Sequence, residues 1–265
     1  MCGPWTREKL AYLERYAAAF TRAMRGKWSQ LVYMDFLAGP GIGIERHSRV
    51  EFDGSPLVAL KVRPAFDQLF FSDADARNVA ALRQRIPAAD RARAFVETGE
   101  CHDVAARVVA RLPAQALALA FVDPEGFEVT FKMFQILARK RVDVLYLFPG
   151  GIGVARNVGN FVRQARAPLD DLIPGWRKLK RARLAAGQRL TDEEMAARDQ
   201  PFVMEFMSRM QTLGFQFSDR GEPYFTNQKN VKMYHLLFFS QHPTGLGLWR
   251  RITRIEASGQ RRLPL

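Results

Sequence analysis

The sequence predicts an α/β fold, a mostly parallel seven-stranded sheet with an antiparallel C-terminal hairpin and a helical insertion at 160–214. Two observations predict the parallel part. Short apolar runs recur at Leu31–Met34, Gln68–Ser72, Arg93–Glu97, Leu117–Val122 and Arg141–Phe148. Segments of helical period separate them, as parallel βαβ units require. The third observation is that Phe215–Phe217 and Met233–Ser240 follow each other across a polar connection with no helix between. That pair reads as the closing hairpin.

Composition sets the outer limits. A chain of 265 residues, 48% hydrophobic, can bury a core as a single domain over 1–265. No window approaches the ~20 apolar residues of a membrane span. Met1–Lys9 lack the apolar stretch of a secretory signal, so the expected compartment is the cytoplasm. The only cysteines, Cys2 and Cys101, argue against a disulfide framework and a structural metal centre. The net charge of +13 points to a polyanion such as nucleic acid or to an anionic small substrate, and it fits equally a basic surface with no partner.

In chain order, residues 5–25 form an amphipathic helix with Leu10, Leu13, Tyr16, Ala17, Phe20 and Met24 on one face, ended by Gly26. The first strand ends at Asp35, and the turn Ala38-Gly39-Pro40-Gly41-Ile42-Gly43 follows. Glycines there permit positive φ and close approach of a ligand to the backbone. Their G-x-G-x-G spacing is not the dinucleotide fingerprint. Residues 44–54, with His47, read as a polar irregular loop. Ser55-Pro56 opens a helix with serine as cap. The second strand ends at Asp73, placed to accept bonds from both hydroxyls of a ribose or to cap the next helix, and Asp75 suits the helix N-terminus. After the third strand, Glu100 and Cys101 flank the site, with Asp103 as an alternative cap. Cys101 shows no sign of activation as a nucleophile.

The fourth strand ends in Asp123-Pro124-Glu125-Gly126-Phe127. A helix over Phe131–Ala138 leads to the fifth strand and a flexible turn, Pro149–Gly153, with Arg156 and Asn157 beyond it. Within the insertion, Arg177-Lys178-Leu179-Lys180-Arg181-Ala182-Arg183 is either a phosphate-binding run or a solvated helix face, and Thr191–Glu194 is a capping box. Pro201 interrupts the helix there, which resumes over Phe202–Leu213. Pro243-Thr244-Gly245 begins the last helix.

An acid four residues before the first glycine, as Asp35 stands before Gly39, resembles the first motif of Rossmann-like class I S-adenosyl-L-methionine (SAM) methyltransferases. Asp123-Pro124 resembles the start of the D-P-P-Y motif of enzymes that methylate amino nitrogens. Glu125 replaces the second proline, Gly126 stands in the aromatic position, and Phe127 comes one step late. Tyr33-Met-Asp-Phe-Leu-Ala-Gly-Pro-Gly41, Gly54-Ser-Pro-Leu-Val-Ala-Leu60, Phe121-Val-Asp-Pro-Glu-Gly126, Val142-Asp-Val-Leu145 with Phe148-Pro149 and Arg156-Asn157, and Leu237-Phe-Phe-Ser240 together resemble the three-Cys-motif partner (TcmP) family. The resemblance implies a class I methyltransferase fold with SAM as cofactor and S-adenosyl-L-homocysteine as product. It implies cofactor contacts at Asp35, Phe36, Ala38, Gly39, Gly41, Asp73, Ala74, Glu100, Cys101 and Asp123. Asp123, Pro124 and Glu125 take the catalytic positions, with His47, Phe127, Arg156 and Asn157 toward the acceptor. The expected acceptor is a nucleic acid or a small metabolite or natural-product intermediate. The alternative is a non-catalytic SAM-fold binding or scaffold partner of another enzyme.

Overall fold

The computed structural model describes residues 3, 5–46, 48–179, 199–219, 223–226 and 232–254. His47, the Thr191–Glu194 capping box, and Lys180 to Arg183 of the basic run lie outside them.

The central sheet is built on β1 (Gln30–Asp35), which pairs in parallel with β4 (Gln68–Asp73) on one side and β6 (Ala116–Val122) on the other. Beyond β4 lies β5 (Ala94–Thr98), and beyond β6 lies β7 (Val142–Phe148), both parallel. The antiparallel β10 (Lys232–Ser240) follows β7. Every residue of β6 and β7 is buried, as expected for central strands covered on both faces.

Side-chain alternation divides the core in two. Val32, Met34, Ala118, Ala120, Val144 and Tyr146 face α4 (Cys101–Arg111), α5 (Phe131–Leu137) and α8 (Gln200–Thr212). Leu31, Tyr33, Leu119, Phe121, Leu145 and Leu147 face α1 (Trp5–Met24), α2 (Ser55–Lys61) and α9 (Pro243–Thr253). The predicted apolar stripe of α1 is buried in full, and Gly26 ends the helix at φ +80°. After β4 comes α3 (Ala76–Arg85), where the Asp75 carboxylate caps the helix by accepting from the Arg77 N–H.

Several expectations need correction. The sheet has eight strands rather than seven, because the edge beside β10 is shared by β8 (Phe217–Ser218) and β9 (Tyr224–Thr226). The expected strand at 215–217 is shifted, since Phe215 is drawn into the core. The loop at 44–54 contains half of a small hairpin, β2 (Ile42–Ile44) with β3 (Glu51–Asp53). It forms because a bare Gly43 leaves room for the Phe52 ring: a Cβ there would stand 2.4 Å from it. Pro201 sits in the first turn of α8, where its missing N–H costs nothing, and the helix expected before it lies outside the described residues. Gly54, not Ser55, occupies the cap position of α2, because the Ser55 hydroxyl is used elsewhere. Asp103 lies inside the first turn of α4, with Glu100 at the cap. The turn at 149–153 is instead a π-helix, Gly150–Ala155, running into α6 (Arg156–Arg163). In the insertion, α7 (Pro168–Leu172) precedes the 3₁₀ turn Trp176–Lys178.

Candidate active site at the strand tips

Parallel strands bring their carboxyl ends to one rim, where open α/β sheets bind ligands. Asp35, the glycine turn, Asp73, Glu100 and Asp123 all stand on that rim because β1, β4, β5 and β6 are neighbours. Arg156 and Asn157 follow the tip of β7.

The glycine turn is held by a mesh of backbone bonds. Ala38 N–H donates to the Ser72 carbonyl at 2.9 Å, Gly54 N–H to Gly41 O at 2.7 Å, and Gly39 N–H to Asp73 Oδ2 at 2.9 Å. Gly39 and Gly41 take φ +60° and +85°, the left-handed region open to glycine. A Cβ on Gly41 would lie 2.8 Å from Leu82, whereas one on Gly39 meets nothing within 4 Å. Gly41 therefore serves packing, and Gly39 faces open space.

Asp73 ties the turn to the next helix, accepting from Asp75 N–H at 2.8 Å and Asn78 Nδ2 at 3.1 Å through Oδ1. With Gly39 on Oδ2, three of a carboxylate's roughly four lone-pair sites are used. The half-buried residue keeps capacity for a hydroxyl donor. Asp35 is fully buried instead, accepting from Ser55 Oγ at 2.6 Å and Leu37 N–H at 3.2 Å. Burial pushes its pKa up to about 7, against the hydrogen bonds from Ser55 and Leu37. The carboxyl shapes the loop from below. Phe36 and Ala38 are buried beside it, and Ala74 is exposed after the β4 tip.

Past β5, Gly99 N–H binds the Asp73 carbonyl, and exposed Glu100 begins α4. Cys101 is buried, and desolvation pushes its thiol up to about 11, which agrees with an unactivated cysteine. His102 bridges Cys101 Sγ at 3.4 Å and Thr130 Oγ1 at 3.0 Å, pinning α4 to the start of α5.

At the β6 tip, Asp123 forms an ion pair with Lys9 of α1, and the two side chains are only 19% and 10% exposed. Pro124 is buried and Glu125 exposed. The Glu128 carboxylate closes the turn by accepting from Glu125 N–H at 2.5 Å and Gly126 N–H at 2.8 Å. Phe127 packs edge-on against Phe161, and a Cβ on Gly153 would lie 3.0 Å from its ring. The π-helix thus seats the turn that carries Asp123. Asn157 Nδ2 donates back to Gly153 O at 2.9 Å, and Arg156 is exposed.

Sequence reading missed three contributors. Lys9 hides among apolar neighbours in α1, and a lysine on that stripe was the available signal. Tyr234 of β10 packs against Trp5 at 6.3 Å between ring centres. Partial burial raises its phenol pKa, helped by the charges of Asp123, Glu125 and Glu128, which places it in their field. Buried His235 pairs with Asp199 at 2.5 Å, and a Cβ on Gly150 would clash with both. Nothing local to the sequence joins residues 199 and 235.

Among the described residues, no group of three His, Cys, Asp or Glu side chains could hold a metal ion, and no helix is long and apolar enough to cross a membrane. A cavity of about 520 Å³ lies away from the rim, at the β4–β5 edge between Phe70, Phe95 and Val104.

No protein-family model matches the chain, and no curated protein matches it. The chain is similar to the solved structure of protein LPL1258 from Legionella pneumophila, of family DUF519, with 10% identity and a TM-score of 0.54. That match covers 96% of this chain and 94% of the other, and it shows the fold: a Rossmann-like α/β sheet. The N-terminal domain of EvdMO1 with SAH bound is similar over 86% of this chain and 79% of its own, at 10% identity and TM-score 0.44. The bifunctional kinase-methyltransferase WbdD is similar over 88% of this chain and 39% of its own, at 13% identity and TM-score 0.46. At such scores these two carry no weight for the site.

Proposed function

We propose that the chain is a SAM-dependent methyltransferase of the three-Cys-motif partner type, acting in the cytoplasm on an acceptor brought to the tips of β6 and β7. The observation that carries this reading is the glycine turn: left-handed Gly39 faces open space while its N–H is fixed to Asp73. That is room for a cofactor beside a carboxylate with capacity for one ribose hydroxyl. SAM would supply a methyl group already activated on a sulfonium, so the protein's work is alignment. Asp35, Phe36 and Ala38 shape the loop, Gly39 and Gly41 let the cofactor approach, and Glu100 and Cys101 with Ala74 border its base. Asp123 and Pro124 orient the acceptor, and exposed Glu125 is placed to take its proton. Phe127, Arg156 and Asn157 border the acceptor side, with His47 assigned there from the sequence alone.

Calorimetric titration with SAM and S-adenosylhomocysteine tests the cofactor. Micromolar binding of both supports the reading, and no binding to the folded protein removes it. Asp73→Ala should weaken both by about tenfold, the loss of roughly one charge-assisted hydrogen bond; unchanged affinity sinks the ribose assignment. A nucleic acid acceptor, suggested by the +13 charge, predicts RNA or DNA affinity falling steeply with salt, and a small metabolite does not.

One observation favours a second reading, a non-catalytic SAM-fold partner of another protein. The Lys9 ammonium already neutralises Asp123, so the carboxylate is not free to hold an acceptor amine. Cofactor binding without methyl transfer to any nucleic acid, small metabolite or partner enzyme distinguishes it.

A further inference from the structure

At the opposite end of the sheet, away from the rim, lies a second cavity of about 300 Å³. Its wall combines groups that packing alone does not require. Asp143, at the start of β7, is 4% exposed and lines the cavity. Tyr16 donates to its Oδ2 at 2.6 Å, and Ser240 Oγ lies between the carboxylate and the backbone of His242. Gly245 keeps this corner open, since a Cβ there would come within 2.9 Å of Asp143 Oδ2 and 2.6 Å of Ser240 Oγ. The apolar wall is Met24, Leu117, Val142 and the partly buried Trp28. Exposed Lys27 and Arg141 stand at the mouth, with the Arg141 guanidinium 5.6 Å from the Trp28 ring centre.

We infer that this cavity is a ligand site distinct from the cofactor rim, taking a small molecule with a flat apolar body, an N–H donor edge for Asp143 and an acidic group for Lys27 and Arg141. Charge order carries the assignment. A carboxylate at the buried end accepts from an amine or amidine edge, and two cations at the open end meet a phosphate or carboxylate. The volume is at the lower end for small-molecule sites, which limits the enclosed part of the ligand to about one ring system, with the remainder at the open mouth. Burial pushes the Asp143 carboxyl up to about 6, against hydrogen bonds from Ser240 and Tyr16, so it remains mostly ionised at neutral pH. Two sources offer this chemistry, purine mononucleotides and aromatic amino acids.

Calorimetry on the whole protein with GMP, AMP and L-tryptophan separates them. The inference expects one of the three to bind below millimolar Kd, and which one binds names the source. Replacing both exposed cations, Lys27→Ala with Arg141→Ala, should weaken that ligand by about tenfold. S-adenosylhomocysteine should neither compete with the ligand nor lose affinity in the same variant. Gly245→Ala should abolish binding, and the cation variant keeps the test valid if Gly245→Ala fails to fold. Absence of binding by all three at millimolar concentration overturns the inference. So does binding that is indifferent to the cation variant, or that S-adenosylhomocysteine displaces.

Discussion

The ion pair between Lys9 and Asp123 is where structure and proposed chemistry press hardest on each other. Replace Lys9 with methionine, which keeps the bulk and removes the charge. With side chains 10% and 19% exposed, the pair lies between two regimes. Exposed pairs contribute about 0–1 kcal/mol, and breaking a buried pair from one side costs about 3–5 kcal/mol. The attraction at an intermediate dielectric is about 4 kcal/mol. Desolvation of the ammonium is recovered on mutation, and residual exposure lets water reach the stranded carboxylate. We expect a loss of about 2–3 kcal/mol for Lys9→Met, a Tm lower by about 5–10 °C for a chain this size. Asp123→Asn should cost a similar amount, and the double variant about 1–2 kcal/mol less than the sum. Urea denaturation of the four proteins at neutral pH measures the cycle. Strict additivity would falsify the coupling across this ion pair. If Lys9→Met instead raises methyl transfer, the ammonium occupies the place of an acceptor amine.

Two further outcomes follow from the same rim. Asp35 has a folded-state pKa near 7 against 3.8 for the free side chain, so the native protein holds a proton that the unfolded chain has released. Its contribution is therefore complete below about pH 4 and is lost as pH rises through 7, with a slope of at most about 1.4 kcal/mol per pH unit. Asp35→Asn should flatten the stability profile between pH 5 and 7, and an unchanged difference from wild type across that range refutes it. The two left-handed glycines separate fold from function. Gly41→Ala combines backbone strain with a clash on Leu82, and should cost about 2 kcal/mol or more in thermal unfolding. Gly39→Ala should cost about 1 kcal/mol of stability yet weaken S-adenosylhomocysteine by about tenfold; full affinity would move the cofactor elsewhere.

Much of this architecture is legible in the chain because it is local. Buried strands such as Leu117–Val122 and Val142–Phe148 write themselves as apolar runs, and α1 as a stripe. The rim residues Asp35, Gly39, Asp73 and Asp123 could be placed because each sits at the end of such a run. What escaped was set by contacts between distant segments. Isoleucines around Gly43 pair with Glu51–Asp53 only because Phe52 folds over the glycine. The π-helix at 150–155 is wrapped around an Asp199–His235 pair drawn from two distant elements. Lys9 stands out in the sequence only as a lysine on an apolar stripe, and its partner Asp123 lies 114 residues away.

The interrupted edge beyond β10 bears on how that side of the sheet would meet another chain. A sheet ending in a long straight strand offers a template on which another chain can add a ladder. Here the outermost position is divided between β8 and β9, two and three residues long. Bonds from Leu236 N–H to Pro223 O and from Asp219 N–H to Phe238 O hold the flanks of the break against β10. Among the described residues, the apolar run Leu236–Phe239 is thereby flanked by short pieces rather than by one long strand. Joining those pieces into one continuous strand would lengthen the border that this side of the sheet presents among the described residues.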